Sequence, residues 1–263
     1  MLSDILSFLK DYDYTKILIY ILLGFAAEMI DGSLGMGYGV SSNTFLRTAG
    51  VPSAISSACV HVSEIFTTLV SAISHFKMKN VHKGLFFRLL FTGILGGIVG
   101  AYLLVNFASS KLDIAIDIYL LIMGGFIFSK IFRKLGKPRE YGNYTIPLGF
   151  AGGFTDAMGG GGWGPVVTST LLASGHDVPR TIGTVNTAEF FVTIAETTTF
   201  VAMIGDFKNY TDIILGLIIG GMIAAPLGAY LCKKIPVKLM LGMVGVLVII
   251  LNTYKLLKHT GVL

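Results

Sequence analysis

Apolar residues run through this chain in blocks, and polar residues fall between them. Eight blocks can be drawn, at residues 16–50, 54–76, 84–107, 112–132, 144–174, 181–204, 211–231 and 237–257. Most are near the roughly 20 residues that an α-helix needs to cross a bilayer. Two are interrupted by glycine-rich stretches, the first block at 31–39 and the fifth at 156–164. Backbone groups in hydrocarbon must be satisfied internally, which leaves helices or a closed barrel. The blocks are continuous rather than alternating over about ten residues, so helices are predicted. Ahead of them, residues 1–14 mix Asp4, Lys10, Asp11 and Asp13 with apolar residues and predict a short amphipathic helix lying on the membrane. The pattern therefore predicts an all-α polytopic membrane protein.

The two broken blocks match each other. Gly24–Gly39 reads GFAAEMIDGSLGMGYG and Gly149–Gly164 reads GFAGGFTDAMGGGGWG. Without a gap they share Gly24/Gly149, Phe25/Phe150, Ala26/Ala151, Asp31/Asp156, Gly35/Gly160, Gly37/Gly162 and Gly39/Gly164, and Tyr38 meets Trp163. The motif Gly100-Ala101-Tyr102-Leu103 recurs as Gly228-Ala229-Tyr230-Leu231. The chain reads as two repeats of four apolar segments, 1–135 and 136–263, with the first segment of each repeat broken. The boundary falls in the longest polar connection, Lys130–Tyr144. Two topologies stay open. If the broken segments cross, the repeats are parallel; if they are re-entrant, the repeats are inverted. Counting basic residues in the loops does not separate the two, but both place loops 77–83 and 130–143 in the cytoplasm of a multi-pass cell-membrane protein.

Composition agrees. The chain has 263 residues, 53% hydrophobic and 13% charged, where a soluble domain carries roughly a quarter charged residues. Its net charge of +5 lies between the apolar blocks, as in cytoplasmic loops, and does not indicate nucleic acid. Cys59 and Cys232 lie far apart within apolar blocks and read as packing residues. No cleavable signal is evident. Membrane lipid is the expected surrounding, and a homodimer is compatible with the sequence.

The candidate chemistry is concentrated at the breaks. Gly35, Gly37, Gly39, Gly160, Gly161, Gly162 and Gly164 predict unwound backbone whose N–H groups, with a following half-helix, suit an anion. Pro165 fits the first turn of such a half-helix. With Tyr38, Asn43, Trp163, Thr168 and Asn186, these glycines form the candidate substrate-binding set. Glu28, Asp31, His61, Glu64, Asp156 and Glu189 form a candidate proton-coupling or gating set, because a charge at bilayer depth is costly unless paired, protonated or wet. Asp31 and Asp156 are equally suited to capping the second half-helices. His61 and Glu64 share a helix face, matched at the same offset by Asn186 and Glu189. Glu196 lies in an apolar helix too. The hydroxyls of Thr193, Thr197, Thr198 and Thr199 are expected mainly to bond back to their own helix. His61 with Cys59 and Glu64 is disfavoured as a metal site, and no metal or cofactor is expected. No nucleotide-binding loop, nucleophile constellation or loop large enough for a catalytic site is present, so an enzyme is not expected.

The run GGGGWGPVVTSTLLASG followed by VPRTIGTVNTAEFFVT resembles the sulfite exporter TauE/SafE family of membrane permeases, and the likeness extends over essentially the whole chain. The resemblance implies secondary transport of small anions such as sulfite, sulfonates and related organic anions. It rests on Gly160–Gly162, Gly164, Pro165 and Asn186, and on Gly35, Gly37 and Gly39. The first copy departs from the family pattern, with Met36 and Tyr38 in the glycine ladder and Val40 where the second copy has proline. The expected function is a permease for a small anion, working by alternating access and coupled to protons. A passive anion channel, or a carrier of a neutral or cationic substrate that uses the buried acids, are the alternatives.

Overall fold

The computed structural model describes residues 14–107, 109–132, 140–174, 176–205, 207–231 and 237–259. The amphipathic N-terminal segment, Cys232 and residues 133–139 of the basic 130–143 loop lie outside the described residues. Every element among the described residues is helical. They are α1 (Tyr14–Leu34), α2 (Tyr38–Thr48), α3 (Ser53–Lys77), α4 (Lys83–Asn106) and α5 (Ser110–Ser129), which ends in a 3₁₀ turn. After the polar connection come α6 (Thr145–Gly159), a π-helical turn at Gly164–Thr168, and the short α7 (Ser169–Ala173). Then follow α8 (Val178–Ile204), α9 (Thr211–Leu231) and α10 (Val237–His259). Helices α3, α4, α5, α8 and α9 are long and apolar enough to cross a membrane.

Local chemistry sets several boundaries. The His82 side chain accepts from Leu85 N and caps α4. Asp177 accepts from Arg180 N, with Pro179 in the first turn of α8. The outward faces carry Phe91, Leu95, Ile122 and Ile250, all exposed, as expected of surfaces facing lipid. The interior is instead rich in buried Ser, Thr, Asn, Asp and Glu. So many buried polar groups, beside apolar clusters, depart from the usual soluble distribution and mark a partly polar core within an apolar shell.

Two glycine seams bring backbones together. In one, α1 packs along α9: a Cβ on Gly24 would meet the Leu217 backbone, and one on Gly220 would meet Ile21 and Phe25. In the other, α6 packs along α4, with Gly149 against Leu89, Gly153 against Gly93 and Gly97, and Gly100 against Phe154. Without a side chain in the way, helices in lipid gain van der Waals contact over their whole length. The arrangement is reciprocal. The broken segment of each half lies against the second unbroken helix of the other half, while α3 faces α8 and α5 faces α10.

These contacts trace the path of the broken segments. At one end of the bundle lie the start of α3, the turn from α4 to α5, the turn from α8 to α9, and the end of α10. Tyr20, Val51, Ile55 and Tyr210 cluster there, as do Ala54, Val105, Leu112 and Phe207. Segment α1 begins at that end, reaches mid-depth, and α2 returns to the same end, where Arg47 meets Ser53 and Asp113. The second broken segment does the same from the opposite end. There His82 N bonds Thr184, Arg88 bonds the Tyr141 and Gly142 carbonyls, and Tyr144 bonds His176 beyond the break. Both broken segments are hairpins, entering from opposite ends. Of the two topologies left open above, this path matches the re-entrant one.

Candidate functional site: two crossed hairpin tips

The hairpin tips touch at the centre. A Cβ on Gly39 would lie 2.7 Å from both Gly160 O and Gly161 Cα, and one on Gly164 would lie 2.6 Å from Met36 Cα. Asn43 on α2 donates to Gly159 O, and Ser56 on α3 donates to the Asn43 amide oxygen. The register-matched Gly35 and Gly160 adopt the same left-handed conformation, at φ +66° and +63°. A side chain there would be strained, so the glycine ladders serve both the turn and the contact.

Each tip is held by its matched aspartate. Asp31 Oδ1 accepts from Tyr38 N at 3.3 Å. Asp156 Oδ1 accepts from Gly162 N at 2.6 Å and Trp163 N at 3.0 Å. The capping role expected of these residues is therefore present in the hydrogen bonds. It also means that backbone N–H groups at the tips, which the sequence suggests for an anion, already hold a carboxylate of the chain itself.

The helices around the tips supply more acid. Glu28, Asp31, Glu64, Asp156, Glu189 and Glu196 are all buried, and so is His61. Glu28 lies in electrostatic reach of Asp31 and Glu64, and Glu189 in reach of Asp31, Glu64 and Asp156. Asn186 donates to Ser71, and its Oδ1 lies 3.6 Å from where a Gly35 Cβ would be. Thr168 is buried on the π-helical turn beyond the second tip. The polar pairs on α3 and α8 thus face the two hairpins, as their offset suggests.

Two members of the expected substrate set point elsewhere. The Trp163 ring packs with Leu85, Leu89, Val167 and Val192, and its Nε1 donates to Val185 O at 3.2 Å. The Tyr38 ring packs with Leu217 and Val60, and its hydroxyl donates to Leu217 O. These aromatics anchor the tips to their neighbouring helices. Of the threonines, Thr198 and Thr199 bond back to their own helix, while Thr193 and Thr197 are buried with no hydrogen-bond partner among the described residues.

Two features escape the expected site set. Glu196 lies with Oε2 at 2.9 Å from His61 Nε2, and Asp156 Oδ2 lies 3.7 Å from the same nitrogen. Its position seven residues after Glu189 puts it on the same face two turns on, the one local signal for it. Ligand atoms of His61, Glu64 and Asp156 all lie within 4.8 Å of one another, so this group is the one among the described residues that could hold a metal ion. Cys59 is buried in an apolar cluster with Tyr38 and Val60. The second feature is an ion-pair network at the outer end of α2. Arg47 pairs with Asp117 at 2.6 Å, and Asp117 also meets Lys255 and His259 on α10, both at 3.4 Å.

The profile of the family described as Sulfite exporter TauE/SafE matches residues 20–254, from within α1 to within α10, and so takes in both hairpin tips. The chain belongs to the sulfite exporter TauE/SafE family. It is also similar to the "Probable membrane transporter protein YtnM" of Bacillus subtilis (strain 168), with 36% identity over 255 residues, covering 93% of this chain and 84% of that protein. No solved structure matches significantly. As a TauE/SafE protein the chain is a multi-pass membrane transporter, and the crossed tips are the part of it built least like an ordinary helix bundle.

Proposed function

We propose that this TauE/SafE protein is a secondary transporter for a small sulfur-containing or organic anion, of the sulfite or sulfonate kind. It works by alternating access around the two hairpin tips. One observation carries the reading: hairpins entering from opposite ends meet backbone to backbone, Gly39 against Gly160 and Gly161, beside paired acids. Such a barrier is thin and lies at mid-depth, where broken helices of transporters hold their substrates. In this reading residues 1–135 and 136–263 are inverted repeats. The six helices α3, α4, α5, α8, α9 and α10 cross the membrane, and the hairpins do not. Loops 77–83 and 130–143 face the cytoplasm on charge grounds.

The substrate lies against the tip backbones of Gly35–Gly39 and Gly160–Gly164, with Asn43, Thr168 and Asn186 nearby. Six buried carboxylates with one buried imidazole among them would repel a bare anion. The anion therefore moves together with cations that neutralise this ring, and protons are the simplest. Glu28, Asp31, His61, Glu64, Asp156 and Glu189 form the coupling and gating set.

The excess of acid also favours a second reading, a neutral or cationic substrate. Proteoliposomes separate the two. Labelled sulfite or a small sulfonate is expected to accumulate above its equilibrium level when a pH gradient is imposed. Equilibration without accumulation would indicate a channel. Movement of cations but of none of the anions would select the second reading. Glu189→Gln is expected to lose gradient-driven accumulation.

A further inference from the structure

We propose that His61, Glu64, Asp156 and Glu196 form a binding site for one divalent transition-metal ion, of the manganese, cobalt or zinc kind. The His61 ring is already oriented. Its Nδ1 lies 2.6 Å from the Ser57 carbonyl, to which it donates, and this turns Nε2 toward the carboxylates. Metal-binding histidines are commonly set in this way, with the second ring nitrogen spent on a backbone carbonyl or carboxylate. Nε2 faces Glu196 Oε2 at 2.9 Å and Asp156 Oδ2 at 3.7 Å.

The acids have buried oxygens without hydrogen-bond partners among the described residues. Asp156 uses Oδ1 for the Gly162 and Trp163 N–H groups, and its Oδ2 has no hydrogen-bond partner among the described residues. The same holds for Glu64 Oε2 and Glu196 Oε1. All four side chains are buried, with residue exposures of 0% for His61, 4% for Glu64, 2% for Asp156 and 0% for Glu196. Uncompensated carboxylates at this depth cost several kcal/mol each, so a cation there has a large driving force. Among the described residues, the ion pairs of Asp156 and Glu196 are with His61, and no Lys or Arg reaches them.

The fit is close. The ligand atoms of His61, Glu64 and Asp156 lie within 4.8 Å of one another. Metal bonds of about 2.0–2.2 Å hold two ligands of one ion within roughly 4 Å, so side-chain shifts below about 1 Å bring these three groups onto one ion, with Glu196 beside His61 as the fourth. One imidazole with carboxylates, and no thiolate, suits a borderline divalent ion rather than copper(I). Gly39 makes room, since a Cβ there would come within 3.1 Å of Glu64 Oε1. A bound ion would link α3, α6 and α8 at the foot of the second hairpin tip and would replace protons in neutralising the acids.

The test uses the full chain, purified in detergent and stripped with a chelator. On titration with Co²⁺, one ion per chain is expected to bind, giving visible d–d absorption, and Zn²⁺ is expected to displace it. His61→Gln should lower Co²⁺ affinity about a hundredfold and abolish the spectrum, and Glu196→Gln should lower affinity at least about tenfold. Cys59→Ala should leave binding unchanged. If His61→Gln fails to fold by size exclusion and circular dichroism, Glu64→Gln gives the same reading. Absence of saturable binding at millimolar Co²⁺, or wild-type affinity in folded His61→Gln and Glu196→Gln, would overturn the site. Binding is measured on resting protein without any transported anion, so its failure is separate from failure of the transport reading.

Discussion

Adding one methyl group at Gly161 would drive it into the backbone of Gly39 and Val40, with Val40 Cα only 2.8 Å away. Neither neighbour can swing aside, because both are backbone of the opposing hairpin. Gly161→Ala is expected to cost at least about 2–3 kcal/mol and to abolish transport, read as a lower thermal midpoint and loss of uptake. Gly125 lies within α5 beside open space, with no atom within 4 Å of where a Cβ would stand. Gly125→Ala should be neutral or stabilise by about 0.5–1 kcal/mol through helix propensity. At this scale much was legible: the matched ladders and the two aspartates stand in register in the chain itself. Glu196 was harder to place. Its partner His61 lies in the other half, and no spacing rule links residues brought together by tertiary packing. The orientation of Trp163 was hidden for the same reason, since a glycine-aromatic-glycine sequence does not say whether the ring faces the tip or the helix behind it.

Helix α2 is tied at several points along its length. Tyr38 N bonds Asp31, Asn43 bonds Gly159, Thr44 accepts from Asn252 on α10, and Arg47 pairs with Asp117 on α5. The last tie joins two buried charges and is the shortest contact of its network, so removing Arg47 leaves Asp117 only the longer contacts to Lys255 and His259. Arg47→Met is expected to destabilise the protein by about 3–5 kcal/mol. Arg47→Met combined with Asp117→Leu should recover most of that loss, and a thermal-unfolding double-mutant cycle measures the recovery. Arg47 and Asp117 sit in polar-looking positions near the ends of apolar blocks, where a sequence reading places interfacial charges. Their burial depends on α2 folding back toward α5, which the hydrophobic pattern does not encode. The π-helical turn at Gly164–Thr168 was equally hidden. Pro165 signals a helix start, but nothing local marks the wider turn, where Val167 packs against Gly152.

For the molecule as a whole, hydropathy located every block to within a few residues, because length and continuity of apolar surface are local properties. It could not tell crossing segments from re-entrant ones, since both consist of two apolar helices joined by glycines. Contacts at the segment ends favour the re-entrant path. Single cysteines placed at Thr15 and Gly50 are therefore expected to react with a membrane-impermeant reagent from the same side of the membrane, and one at Lys79 from the opposite side. Labelling of Thr15→Cys and Gly50→Cys from opposite sides would mean that the first broken segment crosses.

The two glycine seams also bear on how the protein is made. The first hairpin rests chiefly on α9, and α9 is among the last segments to be synthesised. Until then, buried acids such as Glu28 and Asp31 have no finished core to enter. The early hairpin must wait at the membrane surface or in the insertion machinery while most of the chain is still being translated. Ribosome-bound chains ending before α9 should show the first hairpin accessible to protease, with protection arriving abruptly once α9 has emerged.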